Sequence, residues 1–281
     1  MDQPQEPSAP TPEPGEDEST GASAPEPGGA GAPAERRPTV PWSARDVFII
    51  VGLTVASLIL AFFLIQVILA VVVSVRPGFD TKTLADSDLV TLLLLAVQWA
   101  VTLGVAFAYL RRKGYGLTPW VLGFRKTRPG KAIVLLALIL VANSIFGILY
   151  GDLIDTLAGP DQLPSNVPAQ NVTNLFGTSA FAIILTFVAV ALLTPVIEEL
   201  FFRGIIHRGL EQRFGFLPGA TMSSAIFALA HVDYRLYVPI FALGFGFAYL
   251  VHKTGSIWPS IGGHFVINFL GVIAQFTSLG N

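Results

Sequence analysis

Residues 47–75 read VFIIVGLTVASLILAFFLIQVILAVVVSV, without one Asp, Glu, Lys or Arg. A helix rises ~1.5 Å per residue, so about 20 apolar residues cross the hydrocarbon core of a bilayer. This run is long enough to span and has no polar face to turn toward water. Six more uncharged runs follow, at 89–110, 132–151, 162–197, 214–232, 236–252 and 254–281. Pro164 and Pro168 mark a polar loop in the fourth, so its helix is expected to start near Thr178. The fifth and sixth are short and meet tightly through Asp233 and Arg235. The pattern predicts an all-α, multi-pass membrane bundle of about seven transmembrane helices. A soluble helical core could not supply polar outer faces for seven such runs.

Composition agrees. Hydrophobic residues make up 52% of the chain and charged residues 13%, against about 25% charged in soluble domains. Mean hydropathy is +0.63. The bilayer is therefore the first expected partner. A net charge of -2 without a basic domain gives no reason to expect nucleic acid. The absence of cysteine excludes disulfides, thiolate zinc sites and Cys nucleophiles. Seven acidic residues (Asp2, Glu6, Glu13, Glu16, Asp17, Glu18, Glu26) fall among Pro, Gly and Ser at the start. Residues 1–41 are expected to be a disordered tail, since so little apolar surface cannot offset ordering entropy. No apolar core lies within thirty residues of the first Met, so the first run is expected to remain as an anchor rather than a cleaved signal. Transmembrane helices then fill 42–160.

Basic residues predict the orientation. Arg111, Arg112, Lys113, Arg125, Lys126, Arg128 and Lys131 lie between runs two and three, whereas 152–177 holds no Lys or Arg. Arg208 and Arg213 follow the fourth run and Lys253 the sixth; Arg36, Arg37 and Arg45 precede the first. A cell-membrane protein with a cytoplasmic N-terminus and an external C-terminus is expected.

Ionisable groups inside spans are costly and point to function. Glu198, Glu199 and Arg203 lie in the fourth helix, His231 near the end of the fifth, and His264 with Asn268 in the seventh. Counted from the expected cytoplasmic ends, Glu198, His231 and His264 lie at helix depths of ~22, ~20 and ~16 Å. Three helices thus bring a carboxylate and two imidazoles to similar depth. Glu199 and Arg203 are an i, i+4 pair on one face and are expected to neutralise each other. Glu198 points elsewhere, toward a polar cavity. His264 and Asn268 can aim at one point, and Phe227 shares a face with His231. Pro195 is expected to break the helix before the acidic pair and free a carbonyl.

Such a set suits water activation. A desolvated Glu becomes a competent general base, and imidazoles with an Asn amide can move protons or stabilise an oxyanion. Glu198, His231 and His264 could also ligate one zinc, although the H-E-x-x-H signature is absent. Taken singly these residues read more blandly: a Glu–Arg clamp, an interfacial histidine, an Asn packing between helices. His207 and His252 fit the interfacial reading, although His207 continues the Glu199–Arg203 face. Gly147-x-x-x-Gly151 and Gly244-x-Gly246 could permit close packing, and Asn171-Val172-Thr173 is a glycosylation sequon that matters only in a secretory host.

The order Glu198-Glu199 with Arg203, Phe227 with His231, then His264 with Asn268 resembles the CAAX protease and bacteriocin-processing (CPBP) family of intramembrane peptidases. The similarity covers roughly 175–277. It implies that Glu198, assisted by His231, activates water, and that His264 and Asn268 hold the water or the developing oxyanion. Glu199 and Arg203 would support the site or grip the substrate. Members are described both as metalloproteases and as metal-free glutamate enzymes. They trim prenylated CAAX proteins or process peptides, so the implied substrate is a membrane-associated protein or peptide that could be prenylated. Two other classes stay open: a non-catalytic membrane partner or immunity protein of the same fold, and a proton-coupled transporter. No convincing internal repeat supports the transporter.

Overall fold

A computed structural model describes residues 39–76, 78–79, 81, 88–159, 179–231 and 233–278. Most of the expected tail and the Asn171 sequon lie outside the described residues. Among the described residues seven helices follow one another: α1 Ala44–Val75, α2 Asp88–Arg112, α3 Pro129–Ala158, α4 (180–214), α5 Phe216–Leu229, α6 Tyr237–Thr254 and α7 Trp258–Ser278. The chain is a multi-pass helical membrane protein. Five helices are long and apolar enough to cross a bilayer (α1, α2, α3, α4 and α6). The other two uncharged runs give shorter apolar helices, Phe216–Leu229 and Trp258–Ala274. At 14 residues, α5 rises only ~21 Å. It starts after Gly215, whose positive φ of 83° breaks it from α4, and it stops before His231.

Uniform hydrophobicity has two meanings here. On α1 and α3 it faces outward: Phe62, Phe63, Ile133 and Leu138 are exposed apolar side chains, as lipid contact requires. In α4 it faces protein, and every residue from Leu200 to His207 is buried. The core joins α4 to α5, α6 and the chain before α1 through Trp42, Ile205, Ile206, Leu210, Phe227 and Val251. α6 packs against α5 and α3, and α7 packs against the first half of α4. Glycines set two of these approaches. A Cβ on Gly246 would lie 2.6 Å from Ile139 of α3, and one on Gly244 would lie 3.1 Å from Phe227 of α5. Gly147 and Gly151, by contrast, have nothing within 4 Å to pack against.

Two capped junctions fix the bundle's ends. Ser43 and Asp46 form a capping box at the start of α1. The Tyr109 and Tyr115 hydroxyls donate to the same Asp46 carboxylate at 2.7 and 3.2 Å, tying α1 to α2 and the loop beyond it. Asp233 starts the short turn Tyr234–Leu236 that leads from α5 into α6. Its carboxylate takes the Arg235 guanidinium at 2.6 Å, and that bond holds the Asp233 carboxyl below its usual range.

Candidate active site

α4 is an α-helix interrupted twice. A π-helical stretch, Phe187–Leu193, precedes the α-helical Thr194–Glu199, and a second, Leu200–His207, follows it. The sequence explains the first. In the wide register the Thr194 N–H reaches back five residues to the Ala189 carbonyl. The next N–H in that register would come from residue 195, a proline with no hydrogen to donate. The carbonyl of Val190 is therefore left over, and the Asn268 side-chain amide of α7 donates to it at 2.9 Å. The expected freed carbonyl exists, and Asn268 occupies it with one of its two amide hydrogens. The second π stretch is likewise met from outside. The buried Trp42 indole N–H donates to the Ile205 carbonyl at 3.0 Å, with its ring against Gly209. π segments recur at functional sites because they re-aim the side chains between them. Here those side chains are Glu198 and Glu199.

The two glutamates diverge as their spacing requires. Glu199 is fully buried, and its Oε1 lies 3.1 Å from an Arg203 guanidinium nitrogen, also buried. The same Oε1 lies 3.1 Å from His264 Nδ1. An ionised carboxylate only accepts, so His264 carries its proton on Nδ1 and donates it to Glu199. His264 Nε2 then points at Glu198 Oε2, 3.7 Å away. Glu198 retains 24% of its side-chain exposure, whereas Glu199 is fully buried. Arg203, Glu199, His264 and Glu198 thus form a polar chain running from the buried interior to the half-buried Glu198.

Arg203 is held on all sides. It donates to the Gly244 carbonyl of α6 at 3.2 Å, and its guanidinium lies 4.2 Å from the Phe227 ring centroid and 5.6 Å from that of Phe247. Phe227 is the aromatic hub of the network. It meets His231 edge-to-face at 4.9 Å and His264 at 6.0 Å. His231 Nδ1 lies 2.9 Å from the Phe227 carbonyl. A carbonyl cannot donate, so that nitrogen carries the proton and Nε2 is left for other partners. Glu198, Glu199, Arg203, His264 and Phe227 are brought into one contact network, with His231 joined to it through Phe227. Asn268 is joined through the backbone of α4.

Sequence reasoning passed over three members. Trp42 reads as an ordinary interfacial tryptophan, Phe247 as core, and Gly244 as common membrane glycine. Only the Gly244-x-Gly246 pair carried a signal. A separate polar cluster lies further along α4. Glu211 receives His207 Nε2 at 3.2 Å on one oxygen and His252 Nδ1 of α6 on the other, clipping the ends of α4 and α6 together. Neither histidine belongs to the network around Glu198.

Residues 179–270 match the family described as type II CAAX prenyl endopeptidase Rce1-like, and this span contains every residue of the network except Trp42. That part of the chain is similar to CAAX-type prenyl endopeptidases. A relative from Bacillus subtilis (strain 168), named "Putative membrane peptidase YdiL", is 33% identical over 100 residues. The match covers 36% of this chain and 41% of that relative. No solved structure matches the chain. The match covers α4 to α7, the helices that carry the Arg203–Glu199–His264–Glu198 chain, and leaves α1 to α3 outside it.

Proposed function

We propose that this chain is an intramembrane peptidase that hydrolyses a peptide bond in a membrane-associated protein or peptide, the CAAX-type carboxyl terminus being the first substrate class to test. The observation that carries the reading is the chain Arg203–Glu199–His264–Glu198. Arg203 keeps Glu199 charged, and Glu199 fixes the tautomer and direction of His264. Glu198, the exposed member, is the base that takes a proton from water as the water attacks the scissile carbonyl. His264 Nε2 stands where it can receive that proton and return it to the leaving amine. His231, whose Nδ1 donates to the Phe227 carbonyl, lies against the Phe227 ring and offers Nε2 to the oxyanion or the water. Asn268 has one amide hydrogen committed to Val190 and acts first by holding α4 in register.

Among the described residues no three His, Asp or Glu side chains are grouped to hold a metal ion; the His264 Nδ1–Glu199 bond leaves Nε2 available and is compatible with a metal-dependent or a metal-free mechanism. No step here passes through a metal. The positive-inside pattern supports a cytoplasmic α6–α7 junction, because the basic segment 111–131 packs there through Arg125, whose guanidinium reaches the Gly255 carbonyl at 3.5 Å.

The test is cleavage of a farnesylated CAAX peptide and its unprenylated twin by the full chain in mild detergent, with products identified by mass spectrometry. Release of a C-terminal tripeptide supports the reading, and preference for the farnesylated form assigns the substrate class. No release from either peptide would contradict the CAAX assignment.

A further inference from the structure

An open cleft of about 590 Å³ lies where the start of α1 meets the end of α4, far along α4 from Glu198. It is lined by Arg45 and Arg213 together with the apolar side chains of Phe48, Ile49 and Phe214. Among the described residues neither arginine has an ion-pair partner. The carboxylates beside them in sequence are engaged: Asp46 by Ser43, Tyr109 and Tyr115, and Glu211 by His207 and His252. Phe48 and Phe214 stay 46% and 42% exposed.

Position makes the cleft selective. Arg45 is the second residue of one 32-residue span and Arg213 the last but one of another. Charge is too costly deeper in the bilayer, so both lie at the headgroup level. Below them the exposed side chains of Phe48, Val55, Ile59 and Phe62 run down α1, spaced to share one helix face. Paired positive charge above a continuous apolar track matches one kind of molecule, a lipid with an anionic headgroup and acyl chains.

We propose that this cleft is a binding site for an anionic phospholipid, its phosphate between Arg45 and Arg213 and an acyl chain along Phe48. The site lies outside the peptidase network, and its α1 half lies outside the matched segment 179–270. The lipid would also brace the junction of α1 and α4 on which Trp42 depends.

The experiment is native mass spectrometry of the delipidated full chain titrated with dioleoylphosphatidylglycerol or dioleoylphosphatidylcholine. Wild type is expected to retain one phosphatidylglycerol in clear preference to phosphatidylcholine. Arg45→Gln and Arg213→Gln should each weaken that retention about fivefold, and the pair roughly thirtyfold. The single variants keep the test decisive if the double variant is poorly folded. Equal retention of the two lipids, or unchanged retention in the single variants, overturns the proposal. Displacement of phosphatidylglycerol by millimolar inorganic phosphate would mark a free-anion site and overturn the lipid assignment.

Discussion

His264 Nδ1 lies 3.1 Å from Glu199 Oε1, and that single bond decides what the imidazole offers to Glu198. With its proton committed to a buried carboxylate, the ring can present only Nε2 to the exposed glutamate. Glu199 is therefore a positioning residue in two directions: it balances Arg203 and aims His264.

Breaking this arrangement from one side should be expensive. Glu199→Gln leaves the buried Arg203 guanidinium without its counter-charge, and such losses cost about 3–5 kcal/mol. Arg203→Met leaves Glu199 charged and buried, with a similar cost. The double variant Glu199→Gln/Arg203→Met should lose less than the sum. Denaturant titration in detergent of the three variants measures the coupling; strict additivity would show that the pair is not a unit.

Asn268 is predicted to matter through its donor. Asn268→Asp is nearly isosteric but turns an acceptor toward the Val190 carbonyl, so it should destabilise more than Asn268→Ala, by about 1–3 kcal/mol. Activity should fall with kcat more than with KM, because α4 loses its register beside Glu198. If the two variants were equally stable and active, the hydrogen bond to Val190 would carry no weight.

Glycine positions separate packing from composition. Gly244→Ala would press a methyl group against Phe227 at 3.1 Å and Arg203 at 3.3 Å, with overpacking expected to cost about 1–3 kcal/mol. Gly147→Ala has no neighbour within 4 Å and should be neutral or slightly stabilising. Thermal unfolding of both, monitored by the same probe, gives the comparison.

The general architecture was legible from hydropathy alone, because a bilayer rewards uninterrupted apolar length. Glu199 with Arg203 was legible too, since i, i+4 spacing on a helix forces the two side chains together. Pro195 announced a backbone fault before the acidic pair. What the sequence could not announce was the partner of that fault, because Asn268 is 78 positions from Val190 and no local pattern links them. Trp42 was hidden for the same reason: its partner, Ile205, is 163 positions away. The fifth run reads as short and as turning at Asp233, and α5 is short; what the run does not reveal is the positive φ at Gly215 that starts it. The same runs read as one kind of span although those of α1 and α3 meet lipid and that of α4 meets protein.

Trp42 gives the account a remote test. Trp42→Phe keeps the ring against Gly209 but removes the N–H that meets Ile205. A loss of about 1 kcal/mol in stability is expected, with lower kcat and an unchanged KM. Wild-type kinetics in that variant would uncouple the second π segment from the site.

The most direct measurement is the single-turnover cleavage rate of Glu198→Gln beside wild type on the same membrane peptide, with helicity and melting temperature checked on both. Removing the base while keeping the shape should lower the rate by about 10²–10⁴-fold, with the fold intact. A well-folded Glu198→Gln protein that cleaves at the wild-type rate would contradict the assignment of Glu198 as the group that activates water.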